Sequence, residues 1–436
     1  MNDLFYGSKV RLAISFLLLS LSFGLAHAGP HGSEFDLTLT PAAGGMEGVG
    51  IARPQDPVAM VFANPATLTQ LEGRTVFTLG ATYAAPDLKA SGEPTDLFGG
   101  TVSQGNFNPA AALTGDFNGS SSFDDTAVPH AVVVHRITDK LVAGFGFTGV
   151  SGLGSDWRNV EGLPNLIADL GLFGSNFSIG YKVSDKFSVG GTFTLGIASL
   201  QVGITESTGT VHEFGVGGSV GATYDSGTFV LGLAYKAPLS VDYKNVVEVA
   251  PDLWADFELE QPQEIQFGIA TGRDLFENTV IEFNFRYKNW DDAAGYSSFW
   301  KDQNIYALGI QHKIGNIYLR GGYSFNSEIA KDSADLGNSI GDIRFIKNPG
   351  FGTGTDPTQP PSLPVTPTFI ELAQATIADG HWQQSVSIGF GYDIPDTGIR
   401  LDLYANYAFD GETALGPFQA DGALFAAGMG LTWLFQ

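Results

Sequence analysis

The chain contains no cysteine, and only 16% of its 436 residues are charged, against roughly 25% in an average soluble domain. Without cysteine, it can form no disulfide bond, no thiolate metal site and no cysteine nucleophile. Basic residues are also scarce: 22 lysines and arginines face 46 acidic residues, so the formal net charge is −24. Such an acidic chain repels phosphates, which argues against nucleic acid as a partner. In excess are glycine, with 57 residues, and phenylalanine, with 33.

Long hydrophobic runs are missing except at the N-terminus. Two basic residues precede an apolar run over residues 12–25, and Ala26-His27-Ala28 then has the small-x-small form of a signal-peptidase site. We therefore predict that residues 1–28 are a cleaved signal peptide. The alternative is a retained membrane anchor, but a spanning helix needs about 20 apolar residues and this run is shorter. The exported protein is then either soluble or a membrane β-barrel.

Alternation of apolar and polar residues decides between these two classes. Over residues 281–288, Ile, Phe, Phe and Tyr alternate with Glu, Asn, Arg and Lys, which is the period of a β-strand. The pattern recurs at 177–183, 385–392, 399–409 and 425–435. One such strand would fit a soluble sandwich equally well. The polar face, however, is repeatedly rich in glycine and serine, as expected of the lumen face of a membrane barrel.

The alternating segments number fourteen, and an even number is typical of bacterial outer-membrane barrels. The predicted strands are 74–86, 129–136, 140–150, 174–183, 186–203, 211–225, 227–237, 263–272, 279–290, 303–313, 316–325, 381–393, 398–409 and 423–435. Long connections alternate with short turns, as in outer-membrane barrels. The long ones are 87–128, 151–173, 238–262, 291–302, 326–380 and 410–422. The predicted fold is an all-β, 14-stranded antiparallel transmembrane β-barrel over residues 74–436.

Residues 29–73 precede the first predicted strand and are rich in glycine and proline. They also contain apolar residues, which a disordered tail normally lacks. The segment is therefore predicted to be a hatch that plugs the lumen, with a disordered periplasmic tail as the alternative. Its apolar residues include Phe35, Leu37, Leu39, Met46, Val61 and Phe62.

Several motifs resemble the FadL family of outer-membrane transporters. The segment 40–46, reading TPAAGGM, and the triplet Asn64, Pro65 and Ala66 are similar to the family's N-terminal hatch. Similar segments follow at 87–92, 262–265 and 319–324. The family carries long-chain fatty acids, and a related branch carries aromatic hydrocarbons. The resemblance implies passive uptake: the ligand moves from a groove among the extracellular loops to a pocket above the hatch. A hatch shift and a kinked third strand, which leaves a lateral gap, then open the path.

The candidate site residues fall into three groups, each with a structural alternative. Apolar residues of the hatch and of the connection 151–173 could line the ligand path, or merely pack the plug and the barrel rim; the patch in that connection could be a short helix. These residues are Phe35, Leu37, Leu39, Met46, Leu163, Leu166 and Ile167. Gly144, Gly146 and Gly149 could mark the kink, or be ordinary barrel glycines. The alternation of the strands also predicts that three cationic side chains point into the lumen, those of Arg286, Lys288 and Arg320. One of these cations could bind a fatty-acid carboxylate, or all could form internal ion pairs with Glu264, Glu282 or Asp402.

Aromatic residues near strand ends suit the interfacial girdles of a membrane barrel. They are Trp290, Tyr296, Trp300, Trp382 and Trp433. The connection 326–380 carries five prolines and is predicted to be extended or disordered. Clusters of acidic residues fall in the predicted loops, where divalent cations could link them to lipopolysaccharide.

The predicted function is uptake of hydrophobic compounds, above all long-chain fatty acids, across the bacterial outer membrane. None of the seven histidines lies in a nucleophile-elbow or metal-binding spacing, so we expect no enzyme activity, no metal and no cofactor. The expected partners are hydrophobic small molecules, outer-membrane lipid and lipopolysaccharide, and the barrel is expected to be a monomer. Two alternatives stay open: uptake of aromatic hydrocarbons, and a structural or adhesive barrel.

Overall fold

The structure is a computed structural model that describes residues 40–93, 116–163, 166–203, 209–250, 253–297, 299–331, 367–376 and 382–435. The predicted signal peptide lies outside the described residues. So do the three hatch residues Phe35, Leu37 and Leu39, and most of the proline-rich connection. In the described ranges, no helix has the length and apolarity needed to cross a membrane.

The described chain is mostly β-structure. The strands are β1 Thr75–Gly92, β2 Phe117–Ser120, β3 Thr126–Arg136, β4 Leu141–Asp156, β5 Ile167–Lys182, β6 Phe187–Gly203, β7 Val211–Asp225, β8 Phe229–Lys236, β9 Leu239–Ala250, β10 Leu253–Gln261, β11 Glu264–Thr271, β12 Thr279–Lys288, β13 Gln303–Ile314, β14 Ile317–Asn326, β15 Gln384–Ile394, β16 Ile399–Leu415 and β17 Phe418–Phe435. The α-helices are α1 Pro57–Phe62 and α2 Pro367–Thr376, and 3-10 helices cover Gly44–Met46, Pro65–Gln70 and Trp290–Asp292.

The sheet closes on itself. β1 pairs antiparallel with β17, so that Thr75 lies opposite Phe435 and Gly92 lies opposite Phe418. Each further strand of the wall pairs with its neighbour. β8 pairs directly with β11, so the hairpin of β9 and β10 is outside the ladder of the wall, and β9 packs against β7. β2 pairs only with the outer end of β1, beside β3. Among the described residues fourteen strands close the barrel, namely β1, β3 to β8 and β11 to β17. The predicted 14-stranded antiparallel barrel is confirmed.

The predicted faces of the strands are also confirmed. Large apolar side chains point outward, and Phe214 and Ile388 are 67% and 70% exposed, which is the surface a lipid bilayer covers. Polar side chains point inward, where Gln266, Glu282 and Asn284 are fully buried. Because inward and outward residues alternate, one face of every strand is available to hold whatever fills the lumen.

We expect arginine in place of Ile388, Ile388→Arg, to prevent the folded barrel from accumulating in the membrane. A cation on the lipid face costs about 2–4 kcal/mol at the bilayer midplane and about 0–1 kcal/mol near the interface. Gln384→Arg places the same cation on the outward face at the end of the same strand, and serves as the control. Heat-modifiable migration in gels measures the folded fraction. Equal folding of the two variants would contradict the assignment of the outward face to lipid.

The connections predicted as long loops contain ordered structure. β4 and β5 extend to Asp156 and back from Ile167, and β9 and β10 form a hairpin within 238–262. The suggested helix in 151–173 is wrong, because residues 167–173 continue β5. Residues 167–176 are buried on both faces, so they lack the alternation that identified the other strands.

The predicted aromatic girdle is wrong for four of its five members. Trp290, Tyr296 and Trp300 are buried against one another, with ring centroids 4.7–4.9 Å apart. Trp382 is 4% exposed. Only Trp433 lies partly exposed on the outward face, where its ring is 5.5 Å from that of Phe77. The four buried rings belong to an apolar cap above the barrel, which strand-end position alone did not reveal.

Candidate functional site

The described part of the hatch, residues 40–70, lies inside the barrel. Its first half is fastened to β12 through alternate, inward-facing side chains. Arg286 Nη2 donates to the Gly48 carbonyl at 2.5 Å, and Asn284 Oδ1 accepts from the Gly50 amide at 3.1 Å. The Glu282 carboxylate accepts from the backbone amides of the next residues, 52 and 53, at 2.9 and 3.0 Å. The two-residue step of the strand is therefore matched by a two-residue step along the hatch.

Glu47 fastens the hatch to a second part of the wall, on β15 and β16. Its backbone lies in the left-handed region, with φ of 56°. Its carboxylate accepts from Ser385 Oγ at 2.5 Å and from Asn406 Nδ2 at 2.7 Å, and its amide donates to Ser387 Oγ at 3.0 Å. Burial raises the pKa of Glu47, and the hydroxyl donors oppose that rise. The carboxyl group thus depends on its hydrogen bonds to be accommodated there.

Glycines of the wall let the hatch backbone approach closely. A Cβ on Gly45 would lie 2.8 Å from the Gly389 Cα, so two glycines meet where hatch and β15 touch. A Cβ on Gly232 would lie 2.1 Å from the Ile51 carbonyl oxygen. Both distances are too short for a real side chain. Some of the many glycines in the sequence therefore lie where the hatch contacts the wall of the barrel.

The second half of the hatch packs against β3 to β7. Asn64 of the predicted motif caps the 3-10 helix Pro65–Gln70: its Oδ1 accepts from the Ala66 amide at 3.1 Å, and its Nδ2 donates to the Ala222 carbonyl of β7 at 3.2 Å. Helix α1 is wholly buried, and its wall contacts are mainly apolar. Among the described residues, Asn176 and Ser178 of the wall donate to the Val61 carbonyl of α1, both over a long distance of 3.4 Å. The second half is thus held mainly by apolar contacts, with a few hydrogen bonds such as that of Thr69 Oγ1 to Ser188 Oγ at 2.8 Å.

An apolar cap lies above the hatch, at the end of the barrel that has the long connections. It is built from the extended ends of the strands, the β9–β10 hairpin, the 3-10 helix Trp290–Asp292 and helix α2. Its larger members include Leu88, Phe117, Trp157, Leu163, Leu166, Leu170, Leu172, Phe173, Leu239, Val241, Tyr243, Trp290, Trp300, Phe369, Leu372, Trp382 and Phe418. Val150 packs against both this cluster and the hatch cluster, so apolar contact continues from the cap to α1.

A cavity of about 70 Å³ lies where the cap meets the hatch. Phe62 of α1 forms its lower wall, while Val150, Leu172 and Leu239 supply apolar sides. Lys236 also lines it, and its ammonium lies 3.6 Å from the carboxylate of Glu264. The cavity is amphipathic, because Asn176, Gln261 and Glu264 also line it, and its volume admits only part of an acyl chain beside the Lys236 ammonium.

A second cavity, of about 550 Å³, lies at the end with the short turns, which is periplasmic in outer-membrane barrels. We call it the vestibule. Pro57 and Met60 of α1 form part of its wall. Helix α1 therefore separates the upper cavity, which Phe62 borders, from the vestibule. A displacement of this one short helix would join the two spaces.

The predicted apolar site residues divide between two places. Leu163, Leu166 and Ile167 are buried, 0%, 3% and 4% exposed, and the first two belong to the cap. Met46 instead packs with Val49 and an alanine of β13, away from the cap cluster. The structure therefore places Leu163 and Leu166 in the apolar cap, whereas Met46 packs against the wall. Whether any of them binds ligand stays a prediction.

The third wall strand, β4, has an irregularity near the predicted place. Its register against β5 shifts between Gly149 and Ser151, as in a β-bulge. Its pairing with β3 ends at Thr148, although β4 continues to Asp156. Gly144 and Gly146 have another role, because added Cβ atoms there would meet Val61 and Phe62 of the hatch within 3.1 Å. Of the three predicted glycines, only Gly149 lies at the shift.

The three predicted carboxylate partners all make internal contacts. Arg320 Nη1 lies 2.7 Å from Asp402 Oδ1, and its Nε donates to Gln311 Oε1 at 2.7 Å. Lys288 Nζ lies 3.6 Å from Glu264 Oε1. Arg286 binds the hatch, as described above. The ion pairs that were the structural alternative are therefore present for Arg320 and Lys288.

Two elements of the site were missed by the sequence analysis. Leu239, Val241 and Tyr243 alternate with polar residues on β9, so the signal was present in a segment dominated by its acidic residues. Helix α2 lies within the connection predicted to be extended, and it begins at a proline, which favours a first helical turn. Trp157 Nε1 donates to the Thr376 carbonyl at 2.7 Å and so ties α2 to the connection after β4.

Residues 42–222 match the family model described as "Outer membrane protein transport protein (OMPP1/FadL/TodX)". This part of the chain is similar to the FadL family. The match covers the hatch and the wall from β1 into β7, so it includes α1, the β4 bulge and one side of the upper cavity. The predicted resemblance to the FadL family is thus confirmed, and with it the assignment to an outer-membrane transport family.

Several solved outer-membrane proteins share the fold of nearly the whole chain. The P. putida toluene transporter TodX is 16% identical, with a TM-score of 0.61, over 92% of this chain and 100% of its own. A Pseudomonas aeruginosa FadL homologue is 16% identical, with a TM-score of 0.62, over 93% and 100%. The Ralstonia pickettii toluene transporter TbuX is 16% identical, with a TM-score of 0.60, over 92% and 100%. No curated protein sequence matches the chain.

Proposed function

We propose that this FadL-family barrel takes up long-chain fatty acids passively across the outer membrane. The observation that carries the proposal is the continuous apolar contact from the cap to Phe62, which ends at a cavity lined by the Lys236 ammonium. An acyl chain gains free energy by leaving water, about 0.8 kcal/mol for each buried methylene. The apolar contact from the cap to Phe62 therefore favours entry of an apolar solute without a water-filled pore. The Lys236 ammonium can bind the carboxylate of a fatty acid.

The hatch supports a gated release. Because α1 separates the two cavities and its polar wall contacts are long, we propose that α1 moves while residues 47–53 stay bound to β12, β15 and β16. A second route is lateral. The edge of β4 beyond Thr148, with the bulge at Gly149, suits the opening in the wall that the resemblance implies. Cleavage of the signal peptide, association with lipopolysaccharide and the monomeric state remain predictions.

Aromatic hydrocarbons are the second candidate substrates. Two of the proteins that share the fold, TodX and TbuX, are toluene transporters. A hydrocarbon needs the apolar path and has no use for a cation, whereas a fatty acid uses both. Lys236 therefore discriminates between the two substrate classes.

We expect Lys236→Gln to lower oleate uptake by about tenfold and to leave toluene uptake unchanged. The factor corresponds to a lost charge-assisted hydrogen bond of about 1.5 kcal/mol. The substitution does not leave the buried Glu264 carboxylate without a cation, because Lys288 still lies 3.6 Å from it. Uptake of labelled oleate and of labelled toluene by whole cells measures both effects. Lys182→Gln, at a short turn far from the cavity, is the matched control.

If Lys236→Gln leaves oleate uptake at the level of the control, the fatty-acid proposal loses its main support and aromatic hydrocarbons become the better candidates. A structural or adhesive barrel is tested separately. Deletion of residues 29–66, and loss of the whole protein, should both change uptake of at least one of the two compounds. Unchanged uptake in both strains would contradict transport altogether.

A further inference from the structure

Two buried serines of β4 have hydroxyl groups without a hydrogen-bond partner. Ser151 and Ser155 are each 1% exposed, and among the described residues no donor or acceptor lies within hydrogen-bond distance of either Oγ atom. A buried hydroxyl group that has lost water and gained no partner destabilises the folded protein. Because most buried polar side-chain atoms in proteins are satisfied, these two hydroxyl groups indicate a partner that the protein itself does not supply.

The register of the wall shows which way both side chains point. Ser151 pairs with Leu172 of β5 and Ser155 pairs with Ala168, and the side chains of directly paired residues lie on the same face of a sheet. Leu172 lines the upper cavity, and both Leu172 and Ala168 belong to the apolar cap. The two hydroxyl groups therefore lie on the inward face of the wall, four residues or about 13 Å apart, on a line that leads to the cavity.

The surroundings of the two serines are apolar. Between Ala168 and Leu172, the inward face of β5 carries Leu170, which is another member of the cap. The β9–β10 hairpin packs against this face: a Cβ on Gly196 of β6 would lie 3.1 Å from Leu172 Cδ1 and 3.2 Å from Leu239 Cδ1. One water molecule cannot join hydroxyl groups about 13 Å apart, and an ordered buried water needs about two to four polar partners. Water is therefore a poor partner for either hydroxyl group.

We propose that Ser155 and Ser151 are successive hydrogen-bonding positions for the carboxyl group of a fatty acid that moves through the cap toward the upper cavity. A serine hydroxyl donates to a carboxylate oxygen and accepts from a protonated carboxyl group, so it serves either form of the acid. The β9–β10 hairpin and α2 are outside the ladder of the wall, so they can part from β4 and β5 while the serines stay in place. The proposal rests on the proposed function, because it names residues that recognise the head group along the same path.

Alanine in place of either serine separates a role in transport from a role in folding. Ser151→Ala and Ser155→Ala should each lower uptake of labelled oleate by whole cells about fivefold, because a hydrogen bond to the head group is lost. Uptake of labelled toluene should not change, since toluene has no polar group. The folded fraction, measured by heat-modifiable migration in gels, should equal or exceed that of the wild type. Reduced folding, or an equal loss of toluene uptake, would overturn the proposal.

A serine on the other face of the wall provides the matched control. Ser199 of β6 is 4% exposed and pairs with Gly171, so it lies on the outward face, and its Oγ donates to the Gly171 carbonyl at 3.5 Å. Ser199→Ala should therefore take up oleate at the wild-type rate. A loss as large as that of Ser151→Ala would show a general effect of buried serines in this part of the wall, and would overturn the proposal.

Two variants of equal shape isolate the hydroxyl group. Ser151→Thr and Ser151→Val add the same bulk, but only threonine keeps a hydroxyl, so its oleate uptake should be about fivefold higher than that of the valine variant. Equal uptake by the two would overturn the assignment. If Lys236→Gln lowers oleate uptake and the alanine variants do not, only the serine positions are overturned. If none of these substitutions lowers it, the proposed fatty-acid function fails as well.

Discussion

Valine in place of Gly190 should prevent the hatch from seating in the barrel. A Cβ at this position of β6 would lie 2.4 Å from the Pro65 carbonyl carbon and 2.5 Å from the Ala66 amide nitrogen. Both atoms are backbone atoms of the capped 3-10 helix, so no flexible side chain can move aside. Overpacking of this kind costs about 1–3 kcal/mol even where side chains can adjust. We therefore expect the seated state to be disfavoured by more than a hundredfold, since about 3 kcal/mol corresponds to roughly that factor.

The adjacent residue, Gly191, is the control for this substitution. A Cβ there would be 3.8 Å from its nearest neighbour, the Ser219 carbonyl oxygen, so valine fits without strain. Conductance of single barrels in planar bilayers measures hatch seating, because an unseated hatch leaves a water-filled lumen. Gly190→Val should conduct ions, and Gly191→Val should stay closed. Closed barrels in both cases would show that the hatch tolerates the side chain and would contradict its close contact with β6.

The second large effect is expected at Glu282. Its carboxylate accepts from the backbone amides of residues 52 and 53 and from Asn284 Nδ2 at 2.7 Å. Each hydrogen bond to a charged group contributes about 1.5–3 kcal/mol. Glu282→Ala should therefore destabilise the seated first half of the hatch by about 3 kcal/mol or more, because the two amides lose their acceptor in a dry interior.

Protease sensitivity of the hatch and conductance in bilayers together measure this loss. Glu282→Gln keeps one carbonyl oxygen as an acceptor and should give an intermediate result. Phe283→Ala changes the next side chain, which faces outward, and should leave the hatch seated. If Glu282→Ala and Phe283→Ala behave alike, the ladder between β12 and the hatch is not what retains the plug.

These two predictions concern different halves of the hatch. The first half is held by hydrogen bonds to β12, β15 and β16, which have good geometry at 2.5–3.1 Å. The second half is held by shape, through glycines that face its backbone and apolar side chains. Hydrogen bonds are directional and release abruptly, whereas apolar contacts allow sliding. This division supports the proposed gate, in which α1 shifts over the wall while residues 47–53 stay in place.

The strands were predictable because membrane barrels impose a local rule. A strand that has lipid on one side and a polar lumen on the other must alternate, and residues 281–288 do so without exception. The rule fails where both faces are covered. Residues 167–176 of β5 are buried on both sides by the cap, and their sequence gives no period. The same covering hid the structural setting of Trp290 and Trp300, which strand-end position placed at the membrane interface.

The sequence predicted the apolar character of the candidate site but not which residues form it. Leu163 and Leu166 indicated an apolar surface in a loop, and the structure places both in the cap. The choice between ligand contact and internal ion pairing for Arg320 depended on distance, and Asp402 is 82 residues away in sequence. Lys236, which the proposed function uses, carries no sequence signal that separates it from other lysines, because a lumen position becomes a site only when a cavity forms beside it.

Length, composition and period by themselves determined that this protein is a 14-stranded barrel with an N-terminal segment able to fill it. Each of those conclusions depends on residues within a few positions of one another, and the bilayer enforces the pattern on every strand. Only the tertiary structure decided where the glycines meet the hatch, that one six-residue helix separates two cavities, and which cations border them. Those features join residues from opposite walls of the barrel, whose spacing in the sequence carries no information about their distance in space.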